Sequence, residues 1–219
     1  MKTVLYYTSN QECPSFEAKI ISKLKENCGN LPIVSVSQKP IKLGGNICVG
    51  KVGHSYLNEY RQQLIGAKAA KTKYLVFAEA DFLYPKEYFE FKPNDENVYL
   101  ADNVWILYKR KLLSYRKKDY SHGAQIVNRK YLIERLEKGL KGLPEWFDGN
   151  PVPWLSTKQK KLVTEPPFTL FHNEIPCISF KTGDGMNMWT ATLKTRHNRK
   201  MSLPYWGKAR ALRKEFLCD

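Results

Sequence analysis

The sequence predicts an α/β fold in which a mostly parallel sheet is flanked by helices. Two observations point there. Strand-like and helix-like patterns alternate through the first 85 residues. The stretch YLVFAEADFLYP also holds an uncharged apolar run, Tyr74 to Ala78, of the kind buried on both faces of a parallel sheet. That run ends abruptly in two carboxylates, Glu79 and Asp81. The carboxyl ends of strands are where open α/β sheets bind ligands, and a pair of acids there suits a hard divalent cation.

The elements follow in order. Lys2 to Tyr7 reads as a strand closed by the polar turn Thr8-Ser9-Asn10. Phe16, Ile20 and Leu24 recur at helical spacing, so a helix is predicted from Ser15, its cap, to Asn27, with Gly29 as its stop. Ile33 to Val36 is a short β-branched strand. Residues 38 to 54 read as a Gly- and Lys-containing loop. Leu57, Tyr60, Leu64 and Ala67 mark one face of a second helix, Ser55 to Ala70, before the strand that ends at the acidic pair. Val98 to Ala101, Val104 to Tyr108, Ala124 to Val127 and Ile178 to Phe180 read as further strands. Helices are predicted over Arg129 to Gly139 and Lys208 to Phe216. In a parallel arrangement, Thr8, Ser9, Asn10, Gln38 and the acidic pair converge on one sheet edge. No G-x-G-x-x-G or Walker motif is present, which argues against a dinucleotide enzyme or a P-loop ATPase.

With 219 residues the chain can bury one sizeable core, and a single domain is expected. No apolar run approaches the roughly 20 residues that a membrane span needs, and the start of the chain does not read as a signal peptide. The five cysteines are scattered without metal spacing, so reduced thiols and a cytoplasmic location are expected. The net charge of +15 is unevenly spread: residues 1–103 carry +2, 104–141 carry +8, 142–180 carry −1 and 181–219 carry +6. Excess charge in the second half, away from the acidic pair, points to a polyanionic partner.

The block QQLIGAKAAKTKYLVFAEADFLYP resembles the nucleotide-binding segment of GT-A-fold (Rossmann-like) nucleotide-sugar glycosyltransferases, in particular small phage-type enzymes. HGAQIVNRKYL and SLPYWG extend the resemblance weakly. It implies a DxD-type motif at Glu79 and Asp81 that holds Mn²⁺ or Mg²⁺ on the diphosphate of a nucleotide-sugar, most readily a UDP-sugar. Residues 1–103 then form the nucleotide-sugar half and 104–219 the acceptor half. Thr8, Ser9, Asn10, Gln38, Gln62, Lys71, Glu79 and Lys181 become the donor-binding candidates, with Lys194 as a further cation. Such enzymes often supply a late His to the metal. Here residues 180–184 read FKTGD, so His172, Asp184 and His197 are the candidates for a further ligand.

Transfer to a hydroxyl needs a base in an inverting enzyme. Asp102, Asp119 and Asp148 are the sequence candidates, and His122 precedes Gly123 and Ala124, where backbone can approach a substrate closely. Gly183 and Gly185 suit a loop closing over the donor. The predicted acceptor is a hydroxymethylated pyrimidine, or its existing sugar, in double-stranded DNA. Arg110, Lys111, Arg116, Lys117, Lys118, Arg196, Arg199 and Lys200 would meet phosphates. Two alternatives stand beside this: a glycosyltransferase acting on an anionic surface glycan or lipid-linked sugar, and a non-catalytic nucleic-acid-binding protein.

Overall fold

The computed structural model describes residues 1–94, 98–109, 113–149, 157–183 and 198–217. The first half runs β1 (Lys2–Thr8), α1 (Pro14–Cys28), β2 (Ile33–Ser37), β3 (Gly45–Cys48), α2 (Tyr56–Ala69), β4 (Tyr74–Glu79), β5 (Phe82–Leu83) and α3 (Lys86–Glu90). Then come β6 (Val98–Ala101), β7 (Val104–Tyr108), β8 (Tyr115–Lys118), β9 (Gln125–Asn128), α4 (Arg129–Gly139), α5 (Thr157–Thr164), β10 (Phe168–Phe171) and β11 (Cys177–Lys181). The chain closes with β12 (Arg199–Lys200), β13 (Ser202–Leu203), β14 (Gly207–Lys208) and α6 (Ala209–Phe216).

The main sheet has the order β10-β6-β9-β4-β1-β2-β3. It is mostly parallel: β9 runs against β4 and β6, while the other neighbours pair parallel. Alternation along the strands gives it two buried faces. Val4, Tyr6, Val76 and Ala78 pack on the side of α1, whereas Leu5, Tyr7, Leu75 and Phe77 pack on the side of α2 and α4. A second sheet, β12-β8-β7-β11-β5, packs a separate cluster in which Phe16 and Ile20 of α1 meet Phe180 of β11 and Leu212 and Phe216 of α6.

Several local expectations are revised. Pro14 opens α1, and Cys13 occupies the cap position without a capping bond from its side chain, so Ser15 is not the cap. Proline suits the first helical turn because its missing N–H has no partner there anyway. Gly29 does end the helix, at φ +59°. Ser55 caps α2 by accepting from the Asn58 N–H at 3.2 Å. The predicted loop 38–54 contains the edge strand β3, which was hidden because its sequence, GNIC, lacks alternation. Cys28, Cys48 and Cys177 are free, but Cys13 is disulfide-bonded, which departs from the expectation of reduced thiols throughout. Among the described residues no helix is long and apolar enough to cross a membrane.

Candidate functional site

Register brings the strand ends together. Tyr7 lies opposite Glu79, and Thr8 lies opposite Ser37, so β1, β2 and β4 finish side by side. Two clefts open on this edge. The first, about 710 Å³, is lined by Thr8 at the end of β1 and Ser9 after it, by Gln38 after β2 and by Gly53 to Ser55. Asn58 and Gln62 of α2, Asp81 and residues Phe180, Thr182 and Gly183 complete it. The second, about 830 Å³, is lined by Tyr56, Tyr60 and Gln63 of α2, Lys118 to Gln125, Arg135, Val163, Thr164 and Lys181, with gaps at Asp119, Tyr120 and Ala124. Tyr7, Glu59 and Glu79 line both clefts and form the seam between them.

The seam is tightly organised. Tyr7 donates its hydroxyl to Glu79 Oε1 at 2.7 Å. The Glu79 N–H donates to the Tyr84 hydroxyl at 3.0 Å, and that hydroxyl donates to the Gly123 carbonyl at 2.6 Å. Glu79 is thereby pressed against Gly123, where any β-carbon would collide with its carboxylate. Glu59 accepts from Gln63 Nε2 at 3.0 Å. Lys181 lies 3.8 Å from Asp81 Oδ2.

Crowding three acids into a shielded cleft disfavours their charge. Burial first, then Glu79 and Asp81, pushes Glu59 up to about 8. Burial and then Asp81 push Glu79 up to about 7, against the pull of the Tyr7 hydroxyl, Lys181 and Lys118. Asp81 is raised by burial and restrained chiefly by Lys181. Burial and then Lys181 push Lys118 down to about 8.

The donor-side residues divide into lining and scaffold. Gln62 lines the first cleft and also ties two strand ends, donating to the carbonyls of Thr8 at 2.9 Å and Val36 at 3.2 Å. Gln38 fixes the loop above the cleft through the Gly53 carbonyl at 2.5 Å and the Val52 N–H at 3.1 Å. Asn10 is scaffold: at φ +53° its Oδ1 accepts from the N–H groups of Gln38 at 2.9 Å and Lys39 at 2.8 Å. Lys71 precedes β4 and therefore lies at the opposite, amino end of the sheet, in a separate basic cleft with Lys73, Arg129 and Lys130. A strand of six residues spans about 20 Å, which takes Lys71 away from the donor side.

The other sequence candidates are more dispersed. His172 Nδ1 pairs with Asp102 Oδ1 at 2.8 Å after β10 and β6, and neither residue lines the two clefts. Asp119 is exposed and lines neither cleft. Asp148 is exposed and abuts Gly53 and His54 at the rim of the first cleft, accepting from the His54 N–H at 3.4 Å. His122 lines the second cleft. Arg116 is buried, Lys117 donates to the Asp102 carbonyl at 2.7 Å, and Lys118 faces the second cleft, so these three do not form one outward basic strip. Arg199 and Lys200 are exposed on β12. Asp184, Lys194, His197, Gly185, Arg110, Lys111 and Arg196 lie outside the described residues.

Sequence reading missed Glu59, Tyr7 and Arg135. A signal for Glu59 existed: Asn58, Glu59, Gln62 and Gln63 put polar side chains on a helix that must also pack on the sheet, and a packed helix with polar residues there marks a site.

The acidic pair fits a divalent cation. Among the described residues no group of three His, Cys, Asp or Glu side chains forms a ready-made cage. Mg²⁺ and similar ions are commonly held by one or two carboxylates, with substrate phosphates and water completing the shell. The first cleft adds a reason. Among the described residues, Glu12, Glu59, Glu79 and Asp81 line it and no Lys or Arg does.

No protein-family model matches the sequence, and no curated protein matches it either. Among solved structures, the chain is similar to S. aureus TarS 1-349 in complex with UDP-GlcNAc, with 11% identity over 82% of this chain and 58% of that one and a TM-score of 0.49. It is similar to the inositol-1-phosphate CTP transferase from T. maritima, with 12% identity over 100% and 98% and a TM-score of 0.48. A glycosyltransferase involved in the glycosylation of the major capsid of PBCV-1 matches at 12% identity over 81% and 92%, with a TM-score of 0.46. At these scores the likenesses assign neither a family nor an activity.

Proposed function

We propose that the chain is a nucleotide-sugar glycosyltransferase. The observation that carries this reading is the pair of clefts that meet at Tyr7, Glu59 and Glu79. A group-transfer enzyme needs a donor and an acceptor held in separate spaces with the reacting atoms at their junction. The first cleft takes the nucleoside diphosphate, with its diphosphate toward Glu79 and Asp81. Glu79 and Asp81 would hold a divalent cation there, which would supply charge neutralisation for the leaving diphosphate. The second cleft presents the acceptor hydroxyl to the seam.

Glu59 is the base in this reading, replacing Asp102, Asp119 and Asp148. It touches both spaces, and its affinity for a proton, pushed up to about 8, is close to neutral pH, where a base works best. Tyr7 positions Glu79 through its hydroxyl. As the acceptor hydroxyl attacks the anomeric carbon, its proton passes to Glu59 and the nucleoside diphosphate departs into the first cleft.

The finer reading keeps a hydroxymethylated pyrimidine in DNA as acceptor. Its support is the positive charge of residues 104–141 and 181–219 and the exposed Arg199 and Lys200. The test is sugar release from a panel of nucleotide-sugars, with and without hydroxymethylated DNA, in Mg²⁺, Mn²⁺ or EDTA. Metal-dependent turnover that labels the DNA supports both levels. Turnover indifferent to DNA moves the acceptor elsewhere. The absence of donor binding in every arm overturns the glycosyltransferase reading.

A further inference from the structure

The second cleft contains polar groups that the transfer step leaves unused. Arg135, on α4, is only 7% exposed. Its guanidinium donates to the carbonyls of Leu162 at 3.1 Å and Val163 at 3.0 Å, while its Nε has no partner. Gln125, 4% exposed on β9, has an Oε1 that is likewise without a partner. Both side chains line the cleft, together with Lys118 and Lys181. Buried donors and acceptors are almost always satisfied, and an orphaned one points to a missing partner. Here one orphan seeks an acceptor beside fixed positive charge, and the other seeks a donor.

We propose that the second cleft binds an acceptor that carries a phosphate close to its hydroxyls. The phosphate lies against Arg135 and Lys118, one hydroxyl donates to Gln125 Oε1, and another reaches Glu59 at the seam. Phosphate suits the cationic end because guanidinium and ammonium groups make charge-assisted bonds to its oxygens. Hydroxyls suit the carboxylate end, which would repel a second anion. The inference rests on the glycosyltransferase reading for which hydroxyl reacts and replaces its DNA-base acceptor with a phosphorylated polyol, but the phosphate subsite itself can be tested without turnover.

The probes are glycerol, glycerol 3-phosphate and glycerophosphoglycerol, which separate no phosphate, a monoester and a diester. Their binding to the intact protein is measured by calorimetry, and their use as acceptors by sugar transfer from whichever donor is turned over. The expected result is binding of one or both phosphorylated probes at least tenfold tighter than glycerol. Lys118→Gln should weaken that binding about tenfold or more, as loss of a charge-assisted contact does. It should raise the acceptor KM by a larger factor than the donor KM, which Lys118 reaches only through its field on Glu79 and Asp81. Lys118 is the better first variant because its Nζ bonds only Ser121 Oγ, at 3.1 Å, whereas Arg135 also holds α5. Equal binding of glycerol and both phosphates overturns the subsite. A rise in donor KM with acceptor KM unchanged also overturns it, because the cations would then serve the diphosphate. Phosphate binding that depends on Lys118 without turnover of any donor leaves the subsite standing and removes the transferase.

Discussion

Glu59→Gln should make the protein more stable and inactive together, and the size of the gain follows from the site. In the folded chain Glu59 holds its proton up to about 8, against 4.5 for an ordinary glutamate. The folded pKa lies above the unfolded one, so between those values the folded state binds more protons than the unfolded state. Stability from this group is therefore full at low pH and declines as pH rises from 4.5 to 8. One pKa unit is worth about 1.4 kcal/mol, which sets a ceiling of about 5 kcal/mol. Part of the shift is shared with Glu79 and Asp81, so about 2 to 5 kcal/mol is expected for the single substitution. Glutamine still accepts the bond from Gln63, so the gain comes from charge alone. Urea unfolding in EDTA, at pH 4.5 and pH 9, measures it. The variant and the parent should be nearly equal at the lower pH and separate at the higher, while sugar transfer falls by about 100-fold or more. A stability difference that does not change with pH, or a variant less stable at pH 9, would refute the argument for a crowded acidic seam.

Gly123→Ala forces its new β-carbon into the Glu79 carboxylate; transfer should fall at least about tenfold, with a stability cost of about 1 to 3 kcal/mol by urea titration. Asp81→Asn removes a charged oxygen ligand, so a nucleoside diphosphate with Mg²⁺ at about 100 times its parent Kd, which should stabilise the parent by about 3 kcal/mol, should shift the Tm of the variant little or not at all. Asn10→Ala leaves the Gln38 and Lys39 N–H groups without their shared acceptor and should cost about 1 to 3 kcal/mol in the same titration. Lys71→Ala, at the far end of β4, should leave the donor KM unchanged in a sugar-release assay; a rise would put Lys71 back at the donor.

The strand framework was legible because it rests on local pattern. Tyr74 to Ala78 is apolar because both faces of β4 are covered, and the switch to Glu79 marks where the cover ends. The predicted convergence of three segments was correct for Thr8, Ser9 and Gln38, which line the first cleft. It was too generous for Asn10, whose side chain is consumed in bracing the β2 loop. Lys71 was misplaced for a different reason. It entered with the block that carries the glycosyltransferase resemblance, and the strand between it and the acidic pair puts the two on opposite edges of the sheet. Arg135 was illegible because α4, which follows β9, reaches the second cleft only through the sheet order that places β9 beside β4.

Charge shows the same limit. The counts along the chain separated a nearly neutral first half from a basic second half, and among the described residues the first cleft is lined by acids and by no Lys or Arg. The counts could not say which cations turn inward. Lys118 and Lys181 come from the basic half, yet they line the second cleft within reach of the field of Glu79 and Asp81. Those cations oppose the rise in the proton affinity of the two acids, and burial followed by the nearby Lys181 lowers the hold of Lys118 on its own proton. A site balanced in this way responds to its ligands: a cation at the acidic pair relieves the acids, and an anion in the second cleft relieves the lysines. Because the same charges act on both clefts, a cation at the acidic pair cancels the negative field that reaches Lys118 and Lys181 and should strengthen the binding of an anion in the second cleft, and the anion should strengthen the binding of the cation by the same factor.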